Sequence, residues 1–189
     1  MIGKDFETVL AAAQRGDEEA FARLWRDGQP ALLRYLRVIV PEAADDLAAE
    51  TWLQVVRGLA AFTGGEQNWR AWLFTTARRR VIDRTRQAVR RPSVSLDALP
   101  DLALAEHNGT HSPDAADIAL DNIRTREAIA LIATLPPMQA EVIMLRVVAG
   151  LDTETVGQML GRSPGAIRIA AHRGLHRLAG LIAEAGVTP

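Results

Sequence analysis

The sequence predicts an all-α protein, two helical domains joined by a long flexible linker, with a helix-turn-helix closing the second. Three observations predict it. Apolar residues recur at helical spacing between explicit start and stop signals, and no stretch alternates convincingly as a strand would. The charge is sorted along the chain, at −4 over residues 1–68, +7 over 69–91, −6 over 92–121 and +2 over 122–189, within a net −1. Between the two basic segments, residues 92–117 carry three prolines and one glycine and no sustained period, the composition of an interdomain connection.

The first helix is expected over Phe6 to Arg15, capped by Asp5 and stopped at Gly16. Asp17 caps the second, with Glu18 and Glu19 in the first turn, where the helix dipole favours acids. Its apolar positions are Phe21, Leu24, Trp25, Leu32, Leu33, Leu36 and Ile39, with an interruption expected near Gly28–Pro30 and a stop at Pro41. A third helix spans about Glu42 to Ala61, followed by a turn at Gly64–Gly65. The fourth runs from about Asn68 to Arg90 and is rich in arginine.

The helix-turn-helix lies within Leu135 to Ile182. Asp152 is placed to cap its first helix, with Leu151 and Val156 in staple positions, and Gly161 accepts the left-handed conformation of a helix end. Ser163 caps the next helix and Pro164 stands in its first turn, where a missing N–H costs nothing. Ile167, Ala171, Gly174, Leu175, Leu178 and Ile182 form its expected buried stripe. Arg168, His172, Arg173, His176 and Arg177 fall mostly on the other side. A basic second helix after a three-residue turn is suited to the major groove, although the same geometry also serves as plain packing.

Composition excludes several classes. Without cysteine there is no disulfide, thiolate nucleophile or cysteine-based zinc site. His172 and His176 are i,i+4 but have no acidic third ligand nearby in sequence, and His107 and His111 fall in the linker, so no metal is expected. No nucleophile–base pair or phosphate-cradling glycine loop is in sight, so neither catalysis nor a cofactor is expected. The chain lacks an apolar run of membrane-spanning length, and its acidic N-terminus has no signal-like core. A cytoplasmic protein follows, with no membrane insertion and no small-molecule substrate.

Two motifs in the first domain carry chemistry. Asp46 and Glu50 share one exposed helix face, while Leu47, Trp52 and Val55 can turn inward. That acidic face is either solvated or a docking surface. On the fourth helix, Arg70, Arg78, Arg79, Arg80, Arg84 and Arg86 far outnumber the single Asp83, and the arginine fork suits phosphate. Trp69 and Trp72 could stack on unpaired bases or pack in the core, the latter favoured for Trp72.

An Asp-Leu-x-x-Glu-Thr-aromatic helix, an Arg-Ala-Trp-Leu segment opening an arginine-rich helix, a linker, Leu-Pro-Pro-x-Gln and a terminal helix-turn-helix together resemble the bacterial RNA polymerase sigma factors. The compact extracytoplasmic-function (ECF) group is the nearer likeness, over nearly all of the chain except the linker. The resemblance implies a region 2 domain over residues 1–91, an acidic linker over 92–117 and a winged-helix-like region 4 domain over 118–189. It implies that the chain binds core RNA polymerase, through the β′ coiled coil and β, and directs initiation from promoter DNA by recognising −10 and −35 elements and melting the duplex. An anti-sigma protein is implied as a further partner.

Residue by residue, it assigns Asp46, Leu47, Glu50, Thr51 and Gln54 to the polymerase interface. The loop near Gly64 with Asn68, Trp69, Arg70, Arg78, Arg79, Arg80 and Arg84 is assigned to the −10 strand. Arg162, Ser163, Arg168, Ile169, His172 and Arg173 fall to the −35 element. The group often carries Lys/Arg-Ser-Arg in its last helix where this chain has Arg168-Ile169-Ala170, implying weaker or altered −35 readout. The five linker carboxylates either mimic RNA in the polymerase channels or keep a tether soluble. Two other readings stand beside this one: a helix-turn-helix regulator that never touches polymerase, and a sigma-like decoy that does not initiate.

Overall fold

The computed structural model describes residues 2–90 and 125–184. The linker at 92–117 lies outside the described residues. Eight helices make up what is described: α1 (Phe6–Gln14), α2 (Glu18–Ile39), α3 (Ala44–Gly58), α4 (Glu66–Arg90), α5 (residues 125–133), α6 (Pro137–Ile143), α7 (Thr153–Leu160) and α8 (Pro164–Glu184). Short 3₁₀ turns precede α1 and flank α3, and α6 continues as a π-helical turn over Met144–Val148. There is no strand among the described residues, so the recognition unit is a bare helix-turn-helix without a wing.

The helix starts follow local chemistry in most places. The Asp17 side chain accepts from the Ala20 amide at 2.9 Å, and Asp152 accepts from the Thr155 amide at 2.7 Å. The Ser163 hydroxyl accepts from the Ala166 amide at 3.2 Å. Gly161 closes α7 at φ 63°, ψ 41°, the left-handed cap expected of it. Asp5 departs from expectation. It is itself helical, in a 3₁₀ turn over Gly3–Asp5, and makes no side-chain cap. Instead it pairs with Arg23 at 3.6 Å. The Glu66 carboxylate, at the start of α4, accepts the Ile2 and Gly3 amides at 2.8 and 3.1 Å and so ties down this end of the chain.

The expected break at Gly28–Pro30 does not occur. α2 runs unbroken through Pro30 for 22 residues. Proline removes one hydrogen bond from a helix interior, but Leu24, Leu32, Tyr35 and Leu36 are completely buried on one stripe, and this packing holds the helix together across the weak point. Gly28 faces inward, where a Cβ would come within 3.0 Å of Leu73 and 3.2 Å of the Trp52 ring.

α2 is the central strut. α1, α3, α4, α6 and the π turn that continues α6 all pack against it. One apolar cluster therefore runs from Phe6 and Leu24 through Trp52, Trp69 and Leu73 to Val142, Met144, Leu145 and Ile167. The stripe of α8 is also shifted from expectation. Ile167 and Gly174 are buried and Ala170, Ala171, Leu178 and Leu181 half-buried, while Leu175 and Ile182 are 50% and 40% exposed. The cause is the close approach of α6, where a Cβ on Gly174 would stand 2.6 Å from Ile143 Cδ1. That contact sets the rotation of α8 about its axis.

Candidate polymerase and nucleic-acid interfaces

α3 presents its acidic face as the spacing requires. Asp46 and Glu50 are exposed, and Leu53, one further turn along the same face, is 58% exposed. Leu53 thus adds an apolar side chain to the acidic stripe. Its place follows from helical spacing, since positions 46, 50 and 53 fall on one face. Leu47 and Thr51 are corrections to the expected interface set. They are 1% and 0% exposed, because positions 47, 48, 51, 52 and 55 form the inward stripe against α2 and α4. The Thr51 hydroxyl is used up on the Leu47 carbonyl at 2.6 Å. Both residues hold the helix that carries the contacts.

Trp69 is a second correction. It is 1% exposed and ringed by aromatics, with centroids 6.4 Å from Phe6, 6.5 Å from Trp52, 5.6 Å from Phe62 and 5.5 Å from Trp72. A ring held on these sides has no face for an unpaired base. Trp72 is half-buried and lies nearly parallel to Phe62 at 5.0 Å. The loop before α4 is fixed by Gln14, whose amide donates to the Leu59 and Phe62 carbonyls at 3.0 and 2.7 Å. Gly64, at φ 131°, lets this loop turn so closely that a Cβ there would stand 2.8 Å from that of Asn68. Asn68 itself is exposed at the mouth of the turn.

The arginines of α4 divide between two faces. Arg79, Arg84 and Arg86 are exposed. Arg80 is half-buried and donates to Gln54 on α3 at 3.1 Å. Glu50, Arg80, Asp83, Arg84, Arg86 and Gln87 line an open cleft whose floor is Leu47. The acidic face of α3 and the basic face of α4 thus border one groove. Arg86, noted in the basic run but not assigned to DNA, belongs to this exposed set.

Arg70 and Arg78 lie on the opposite face, with Phe74 between them, and neither is free. Arg70 donates to Asp27 at 3.4 Å and to the Ala149 carbonyl at 3.2 Å, with each side chain of the Arg70–Asp27 pair only 15% exposed. Its Nε is buried and has no hydrogen-bond partner among the described residues. Arg78 Nε donates to Glu141 on α6 at 2.8 Å, and the Tyr35 hydroxyl donates to the same carboxylate oxygen at 3.2 Å. Burial raises the Tyr35 phenol well above its ordinary range, reinforced by the Glu141 charge and hydrogen bond and opposed by Arg78. In this conformation Arg70 and Arg78 are committed to the protein itself rather than open to a phosphate. The sequence signal for it was absent, since Glu141 is 63 residues from Arg78.

The second domain presents its helix-turn-helix as expected. Gly161, Arg162 and Ser163 link α7 to α8. Arg162, Ser163, Arg168, Ile169, His172 and Arg173 are all exposed, Ile169 at 56%. The Asp152 carboxyl lies below its ordinary value because it accepts the Thr155 amide and hydroxyl. Gly157 permits the tight turn, since a Cβ there would meet the Arg162 carbonyl oxygen at 2.8 Å. Gln139, His172, Arg173, His176 and Arg177 border a shallow basic hollow beside the recognition surface. No grouping of three or more metal-ligating side chains occurs among the described residues.

Comparison with known proteins agrees with this geometry. The family Sigma-70 region 2 matches residues 24–91, and Sigma-70, region 4 matches residues 125–178. The chain is similar to the ECF RNA polymerase sigma factor SigD of Mycobacterium tuberculosis, at 31% identity over 98% of this chain and 88% of SigD. It is also similar to the ECF RNA polymerase sigma factor ShbA of Streptomyces griseus, at 35% identity over 94% of this chain and 97% of ShbA. Its fold is that of the sigma factor RpoE from Bartonella quintana, solved in complex with the anti-sigma factor NepR, with a TM-score of 0.59, 21% identity and coverage of 86% of this chain and 96% of that one. With both sigma regions in order, a helix-turn-helix placed to enter DNA and relatives aligned end to end, the chain belongs to the ECF RNA polymerase sigma factors.

Proposed function

We propose that this chain carries out promoter-directed initiation through three separate surfaces. The α3 face of Asp46, Glu50 and Leu53, with Gln54 at its edge, docks on core RNA polymerase. The loop at Gly64 to Asn68, the exposed arginines Arg79, Arg84 and Arg86 and the half-buried Arg80 hold the displaced −10 strand. Arg162 and Ser163 hold −35 phosphates, while Arg168, Ile169, His172 and Arg173 lie along the groove. Domain limits of 1–91 and 118–189, with 92–117 as connector, follow the same division.

The observation that carries this reading is the groove between α3 and α4, where Glu50 of α3 stands across from Arg80, Arg84 and Arg86 of α4, with Asp83 the one carboxylate among those arginines. A repressor has no use for the acidic wall. A sigma factor needs it beside the DNA wall, so that polymerase binding delivers the melted strand to the arginines. Melting costs a few kcal/mol per flipped base, and phosphate and base contacts must offset it. Ile169 offers a methyl-bearing surface where thymine methyls can pack, so a T-containing −35 site is the expected preference.

The role is that of a non-catalytic recognition subunit acting in the cytoplasm, where core polymerase works. No described helix is long and apolar enough to cross a membrane. An anti-sigma partner is supported by the complex named above for RpoE. Run-off transcription with purified core polymerase on a promoter library tests the proposal. Transcripts that depend on this protein support it. Core binding without transcripts points to a decoy, and no core binding points to a DNA-binding regulator.

A further inference from the structure

The two domains are joined by a polar seam that uses up two cations of the DNA-binding helix. Glu141 Oε1 receives Arg78 Nε at 2.8 Å and the Tyr35 hydroxyl at 3.2 Å, and the Arg78 and Glu141 side chains are 26% and 17% exposed. About two turns away on α4, Arg70 reaches across the seam to the carbonyl of Ala149 at 3.2 Å. That carbonyl is delivered by the π turn, which ends with the Ala149 amide bonded to Met144 O at 2.9 Å. Gly150 follows at φ 67°, and a Cβ there would stand 3.1 Å from Arg70 Nη1. Glycine at this position allows the guanidinium to approach the backbone.

A carboxylate oxygen and a phosphate oxygen offer a guanidinium the same thing, a charge-assisted acceptor. We infer that Glu141 is an internal stand-in for a promoter phosphate: in the free chain it occupies Arg78, and with the Ala149 carbonyl on Arg70 it holds the second domain against the −10 helix. The inference rests on reading α4 as the −10 surface. DNA and the second domain then compete for Arg78, while Arg70 gives up its contact to Ala149 and keeps Asp27 of its own domain at 3.4 Å. A ligand that separates the domains restores Arg78 to the strand, and by linkage the strand favours the separated state.

The test uses the full-length chain free in solution and a fluorescein-labelled, mixed-sequence single-stranded DNA of about 20 nucleotides, long enough to span the groove. Glu141→Gln removes the competing charge and keeps the shape. It is expected to tighten binding about five-fold, one released ion pair. The slope of log affinity against log salt should also steepen by about 0.7, the increment for one added phosphate contact on a single strand. Tyr35→Phe removes only the hydroxyl that steadies Glu141 and should give a smaller gain. Because the chain has no cysteine, dyes on Glu7→Cys and Ala179→Cys report domain separation, which should increase on adding DNA. Unchanged affinity and slope in a folded Glu141→Gln protein, or DNA binding with no change in dye separation, would overturn the inference. A control with Arg79→Glu and Arg84→Glu separates the two layers. If that variant still binds the strand, the reading of α4 as the DNA surface fails. If it loses binding while Glu141→Gln changes nothing, only the stand-in role fails.

Discussion

Phe62 meets the ring of Trp69 edge-on, with centroids 5.6 Å apart and planes 82° apart, and lies flat on Trp72 at 5.0 Å. This triplet joins the loop that should receive a flipped base to the core beneath it. Trp69 is the buried member, and its contribution is to stiffness of the platform rather than to stacking on DNA.

Replacing Trp69 with alanine should therefore lower stability by about 3–5 kcal/mol, the cost of a large aromatic cavity. Trp69→Phe should cost less and retain strand binding in proportion to the folded fraction. Chemical denaturation alongside oligonucleotide binding checks this. Lost binding in a fully folded Trp69→Phe protein would return the residue to the DNA surface.

Gly157→Ala is expected to destabilise the second domain by about 2 kcal/mol, because the added methyl meets a backbone oxygen that cannot swing away. Binding to duplex −35 DNA should fall while binding to core polymerase through α3 persists. Calorimetry and a polymerase pull-down measure the two effects. Equal stability of the alanine variant would contradict the tight α7–α8 turn.

The Asp152 cap should contribute about 1 kcal/mol, read as the loss in Asp152→Ala. Its pH dependence has a definite sign. Hydrogen bonds from Thr155 depress the folded carboxyl below its ordinary value. The contribution is thus present above about pH 4, where the unfolded carboxyl is ionised, and lost as pH falls through the lower folded value. Denaturation of the native protein and of Asp152→Ala should converge in acid.

Tyr35 works in the other direction and can be followed alone, being the one tyrosine in the chain. Its folded phenol is raised by burial and by Glu141. Stability is full below about pH 10 and declines as pH rises toward the folded value, because the unfolded chain ionises first. Ultraviolet titration should show late phenolate formation coinciding with unfolding, and Tyr35→Phe should lack that part of the alkaline decline.

Charge reversal of Arg79 and Arg84 should abolish open-complex formation and leave core binding intact, since both are exposed on α4 and Arg84 stands on the wall of the groove opposite Glu50. Permanganate footprinting of melted thymines and a polymerase pull-down provide the measurements. Normal melting by this variant would remove α4 from the DNA surface.

The sequence by itself determined where most helices begin and end, and which exposed faces of α3 and α8 carry charge. Asp17, Asp152, Ser163 and Gly161 act on amides and carbonyls within a few residues, so their effects are written locally. Asp46 and Glu50 were readable for the same reason, four apart on one helix. Tertiary structure alone decided that α2 would run through Pro30, that Trp69 and not Trp72 would be the fully buried ring, and how α8 would be rotated against Ile143. It also decided which arginines of α4 remain open. Arg79 and Arg78 are neighbours in sequence with identical side chains, yet one faces solvent and the other is held by Glu141. The difference arises from a carboxylate brought in by chain folding from 63 residues away, and helical spacing records only which residues share a face, not what will come to cover it.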